Sequence, residues 1–137
     1  MGNRRHSREL ILKFLYENEL NPGDLEERLA CFWARDLAKD NVKKFSERVI
    51  RVTIERREEI DSQLEKACQN WSLCRMAVVD RNILRMAACE LIFFEMPARV
   101  IINEAVEIAK KYGGENSPDF INGILDRVKK ETIDIVL

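Results

Sequence analysis

What most constrains this chain is the spacing of its apolar residues, which recur three and four positions apart along its length and nowhere alternate as a strand requires. The pattern is cleanest near residue 105. Ile102, Ala105, Ala109 and Tyr112 share one side of a helical stretch, Asn103, Glu104, Glu107, Lys110 and Lys111 take the other, and Gly113-Gly114 supplies a stop. The same spacing predicts a first helix from Arg4 to about Leu20, with Ile11, Phe14, Leu15 and Asn18 along one side and Leu10 and Leu12 widening it, ended by Asn21-Pro22-Gly23.

Asp24 is suited to cap a second helix through Leu25, Leu29, Phe32, Trp33 and Leu37. Asp40 or Asn41 is suited to cap a third carrying Val42, Phe45, Val49 and Val52. A short fourth helix is expected to restart at Asp61 and run through Leu64 and Ala67. A fifth is expected from Val78 to Met96, ended by Pro97, with Arg81 and Arg85 on one flank. Ser117-Pro118 reads as an N-cap followed by proline at the first helical position, opening a seventh helix with Ile121, Ile124, Leu125 and Val128 inward. Seven short helices in a single all-α domain spanning 1–137 is the expectation, and 137 residues suffice for one core without a metal or disulfide framework.

Lys and Arg number 23 against 24 Asp and Glu, so any site for a polyanion must be local. The first 13 residues provide one, with Arg4, Arg5, Arg8 and Lys13 against the single acid Glu9. Helix starts favour carboxylates, so arginines there run against the macrodipole. Phosphate contact accounts for them, since guanidinium forks and the free N–H groups of a helix start suit the same anion. At about 100° per residue, Tyr16 falls on the flank of Arg5, which adds an aromatic of the kind that stacks on unpaired bases. On charge alone the cluster reads equally well as a solvated tail, and Tyr16 as a half-buried boundary residue. Phe120, in the first turn of the seventh helix, lies off the centre of its apolar stripe. Gly123, inside that helix, suggests close approach of another backbone, or is simply a tolerated glycine.

Catalytic and metal readings fare poorly. The lone His6 has no nucleophile to serve, no glycine-rich phosphate loop is present, and Cys31, Cys68, Cys74 and Cys89 form no C-x-x-C pair. Neither an enzyme nor a cofactor is expected. No apolar run reaches the length of a membrane span and no signal-peptide core opens the chain, so a cytoplasmic protein with reduced thiols and no membrane partner is expected.

Several segments carry a family likeness. Arg4-Arg5-His6-Ser7-Arg8 through Phe14-Leu15-Tyr16 resembles the R-R-x-A-R-x-x-A-x-Q-x-L-Y start of the NusB family, with departures at Ser7, Ile11 and Lys13. Asp80-Arg81-Asn82-Ile83-Leu84-Arg85-Met86-Ala87 resembles that family's fifth helix. Ile102-Asn103-Glu104-Ala105-Val106-Glu107-Ile108-Ala109-Lys110 and Phe120-Ile121-Asn122-Gly123-Ile124-Leu125-Asp126 are similar to its I-N-E-A-(V/I)-E-(L/I)-A-K and F-(V/I)-N-G-(V/I)-L-D segments. Only residues 21 to 70 lack a signature.

The resemblance implies two small helical bundles packed at a steep angle. It implies a transcription antitermination factor that binds the boxA element of ribosomal RNA leaders with a small-subunit ribosomal protein, NusE, and joins other Nus factors on RNA polymerase. By position it assigns Arg4, Arg5, Arg8, Tyr16 and Phe120 to RNA, and Asp80 to the protein partner. Two alternatives remain: a structural or self-associating helical adaptor, and an RNA-substrate domain akin to that of RNA cytosine methyltransferases, for whose catalytic sheet the length leaves no room. Whether the free protein is a homodimer stays open.

Overall fold

The computed structural model describes residues 2–69 and 71–136, with side chains from 3 to 132 apart from 70. Seven α-helices follow one another: α1 Gly2–Leu20, α2 Leu25–Arg35, α3 Asp40–Glu55, α4 Arg57–Ala67, α5 Val78–Phe93, α6 Ala98–Tyr112 and α7 Ser117–Val136, with a short 3-10 helix, Leu73–Arg75, ahead of α5. The described residues contain no strand.

α5 is the axis of the fold. Every residue from Asn82 to Glu90 is buried, so apolar side chains face neighbours on all sides, and α1, α3, α4, α6 and α7 all pack against it. On one side α1 and α3 lie together; on the other α6 and α7 pair, with α4 against α7. One hydrophobic cluster links the two sides through Ile11, Val49, Ile83, Leu84, Ile108 and Leu125. α2 joins through large side chains: Phe14 and Phe32 meet edge to face at 5.4 Å, and Phe32 meets Trp33 at 5.1 Å.

Local chemistry explains most helix ends. Asp24 accepts the N–H of Glu27 at 3.0 Å, as an N-cap aspartate should. α2 stops at Arg35, where Asp36 leaves helical geometry, so Leu37, expected on the apolar face, is 85% exposed. Neither Asp40 nor Asn41 caps α3: Lys39 stands at the cap without a side-chain bond, and Asp40 is the first helical residue. α4 begins at Arg57, not Asp61. Arg56 alone separates α3 from α4, donating its N–H to Val52 and accepting that of Ile60, while Glu58 and Glu59 occupy the first turn of α4 where the dipole favours them.

α5 ends at Phe93, three residues before the expected Met96, because Phe94 is already extended. Asn116, not Ser117, precedes α7: its carbonyl accepts the N–H of Phe120, and the Ser117 hydroxyl turns back to accept the N–H of Gly114 at 2.9 Å. A Cβ added at Gly123 meets nothing within 4 Å, so no backbone approaches it and the expected close contact is absent.

Two ion-pair systems bolt α1 to α5. Arg8, 2% exposed, donates through Nε and Nη2 to both carboxylate oxygens of Glu90, at 2.9 and 2.8 Å. At the far end of α1, Glu19 accepts from Arg81 and from Arg85, the latter at 2.7 Å, and Arg85 continues to Asp61 of α4 at 2.9 Å. Burial pushes the Glu19 carboxyl up, but the Arg81 and Arg85 hydrogen bonds outweigh it and hold the group below the usual carboxylate range.

Candidate nucleic-acid interface

The arginines that open α1 do not act alike. Arg4 is exposed and lays its guanidinium over the Phe45 ring of α3, 3.7 Å from the centroid. Arg5, its side chain 47% exposed, turns towards α6 and donates to both oxygens of Glu104 at 3.1 and 2.6 Å. That contact holds the Glu104 carboxyl below its ordinary range. Arg8 lies beneath both, and this corrects the expectation that it meets phosphate at the surface: its guanidinium is enclosed and committed to Glu90. Its position on the helix shows why. At about 100° per residue Arg8 falls between Leu15 and Leu12 on the apolar arc of α1, so burial with a carboxylate from elsewhere in the chain is the arrangement its place demands.

Along the outer flank of α1 runs a hollow of about 350 Å³ bordered by His6, Glu9, Lys13, Tyr16, Val79 and Tyr112, among others. Tyr16 is 38% exposed and Tyr112 44% exposed; Tyr112, expected inward, sits in the last turn of α6 where the helix has run past the core. Each cation here has an acid. Lys13 donates to Asp36 at 2.7 Å, and Lys111 donates to Glu9 at 3.0 Å with its ammonium 5.2 Å from the Tyr112 ring. Arg5 does not border this hollow. It shares the flank of Tyr16 but is held one step away by Glu104.

Phe120 borders a second hollow of about 420 Å³, with Trp71, Arg75, Asp80, Asn116 and Ser117. The two hollows adjoin through residues close in the chain: Val79 lines the first and Asp80, next to it, the second; Tyr112 lines the first and Gly114, two positions on, the second. Tyr16 and Phe120, 104 positions apart by their numbers, thus open on adjoining depressions. Asp80 lies in the first turn of α5, and its Oδ1 is closed to solvent without a hydrogen-bond partner. Trp71, just ahead of the 3-10 helix that precedes α5, is 56% exposed and stands edge to face on Phe120. An aromatic at a helix break, outside any apolar stripe, is the sequence signal for such a residue.

The face therefore offers guanidinium and ammonium groups and exposed rings: the means to hold a polyanion and stack on flat rings. Among the described residues no group of three His, Cys, Asp or Glu side chains could hold a metal ion, and no helix is long and apolar enough to cross a membrane. Burial pushes the thiols of Cys68 and Cys89 up to about 11, which keeps them protonated at neutral pH.

Comparison with known proteins agrees with this fold. The NusB family model matches residues 5–130. The transcription antitermination protein NusB of Trichlorobacter lovleyi is 45% identical over 130 residues, covering 94% of this chain and 92% of that protein; that of Thermodesulfovibrio yellowstonii is 42% identical, covering 95% and 93%. Among solved structures, T. maritima NusB superposes with a TM-score of 0.86 at 42% identity, covering 93% of this chain and 91% of that one. A structure of the antitermination factors NusB and NusE in complex with double-stranded RNA superposes with a TM-score of 0.85 at 26% identity, covering 96% and 98%. The chain belongs to the NusB family.

Proposed function

We propose that this protein is a transcription antitermination factor that binds boxA-type RNA of ribosomal RNA leaders together with a small-subunit ribosomal protein. In that role it joins other Nus factors on RNA polymerase in the cytoplasm. It acts by positioning RNA and protein, not by bond chemistry. The observation that carries this reading is the near full-length likeness to proteins named for transcription antitermination, one of them solved with NusE and RNA.

On the α1 face, Arg4 and Arg5 meet backbone phosphates and Tyr16 stacks on an unpaired base, with Phe120 taking a further contact on the adjoining hollow. Arg8 supports them from below by fixing α1 to α5. Asp80, at the start of α5, marks the border with the ribosomal protein. The whole chain serves as one binding unit.

Fluorescence titration tests this, using a boxA-type single strand, a scrambled strand and a duplex of the same length, each with and without the purified ribosomal protein. Tighter binding of the boxA strand, strengthened by the protein partner and weakened by salt, is expected. Equal binding of boxA and scrambled strands in both conditions overturns it.

A further inference from the structure

The Trp71 and Phe120 rings lie at 82° to each other with centroids 6.2 Å apart. Two rings at right angles form a corner, in which a flat ring laid on the open face of one presents its edge to the other. Trp71 is more exposed than Tyr16 or Tyr112, although an indole gains more than a phenol from leaving water. The pair stands as a ridge between two depressions. On one side is the hollow shared with Arg75 and Asp80; on the other is one of about 270 Å³ bordered by Gln69, Asp119, Gly123 and Arg127. A guanidinium therefore lies on each side of the ridge. Gly123 leaves the second depression bare where no atom of the protein needs the room.

We propose that Trp71 and Phe120 together form a stacking subsite for one unpaired RNA nucleobase, with Arg75 and Arg127 flanking the strand on either side. A planar ligand with negative charge on both sides of it is a nucleotide within a strand; an apolar peptide side chain would use the corner but neither arginine. This rests on the reading of the α1 face as an RNA surface, which it extends across the adjoining hollow.

The whole protein is titrated with the boxA-type single strand, comparing the natural sequence with Trp71→Ala, Trp71→Phe and Arg5→Ala, and melting temperatures are recorded for each. A Trp33→Phe background, which removes the other indole, isolates Trp71 emission. The subsite requires roughly 5- to 100-fold weaker binding for Trp71→Ala, near-natural binding for Trp71→Phe, and quenching of Trp71 emission as RNA is added. Unchanged affinity in Trp71→Ala with unquenched Trp71 emission, while Arg5→Ala still weakens binding, overturns the subsite and leaves the α1 surface standing. Natural protein that binds boxA no better than a scrambled strand overturns both. If Trp71→Ala does not fold, the quenching measurement decides alone. Quenching by the ribosomal protein and not by RNA makes the corner a protein contact and also overturns the proposal.

Discussion

Arg5 and Glu104 face each other across the α1 and α6 helices, the guanidinium held by both carboxylate oxygens on the surface proposed to bind RNA. Phosphate must compete with this carboxylate. Glu104→Gln removes the competitor and one negative charge, so RNA affinity should rise by up to about fivefold at low salt, since partly exposed ion pairs are worth below about 1 kcal/mol. Parallel titrations of the two proteins check it. A fall in affinity would mean that the pair pre-orders Arg5 for RNA.

Arg8 and Glu90 make the opposite case, being enclosed. Arg8→Met leaves a buried carboxylate without its partner, a cost of roughly 3 to 5 kcal/mol, and should lower the melting temperature by at least about 10 °C. Replacing both, Arg8→Met with Glu90→Leu, should recover most of that loss. If the stable double variant also keeps its RNA affinity, Arg8 acts only by positioning; if it binds as weakly as Arg5→Ala, Arg8 reaches RNA directly.

Acid should loosen the far end of α1. The Glu19 carboxyl is held below the usual glutamate value of about 4.3, so its contribution is fully present above that pH and is lost as pH falls through the lower folded value. Melting temperatures from pH 7 down to 3 should decline below about pH 4.5, and Glu19→Gln should be less stable at neutral pH with a shallower decline. A variant whose acid limb parallels the natural protein's would show that other carboxylates dominate.

Gly123 is a helical glycine with open space where a Cβ would go. Gly123→Ala should therefore stabilise the protein by about 1 kcal/mol, through helix propensity and a less flexible unfolded chain. Thermal or urea unfolding reads this directly, and destabilisation would mean that a contact forms there in solution.

Much of the fold is legible in the spacing of apolar residues, because a helix that must cover a core repeats its pattern at every turn. The failures cluster where that logic lapses. Leu37 and Tyr112 continue a wheel beyond the point where the helix or the core ends. Arg56 breaks α3 from α4 by backbone geometry with no proline or glycine to announce it. At the site, the exposed flank carrying Arg5 and Tyr16 follows from helical angles. Arg8 needed Glu90, 82 positions away, to explain a charge on the apolar arc. Trp71 gains meaning only when tertiary packing brings it against Phe120. The acids that neutralise the basic flank, Asp36, Glu104 and Glu9 with Lys111, are likewise set by which helices touch.

The most direct test of the α1 face as the RNA surface is a salt-dependent titration of boxA-type RNA with Arg5→Ala and Tyr16→Ala, each checked by melting temperature. Arg5→Ala should weaken binding and reduce the salt slope by about one unit. Tyr16→Ala should weaken binding by roughly 5- to 100-fold with the slope unchanged, and both variants should melt within a few degrees of the natural protein. Natural affinity and slope in both folded variants would contradict the account and move the RNA surface elsewhere.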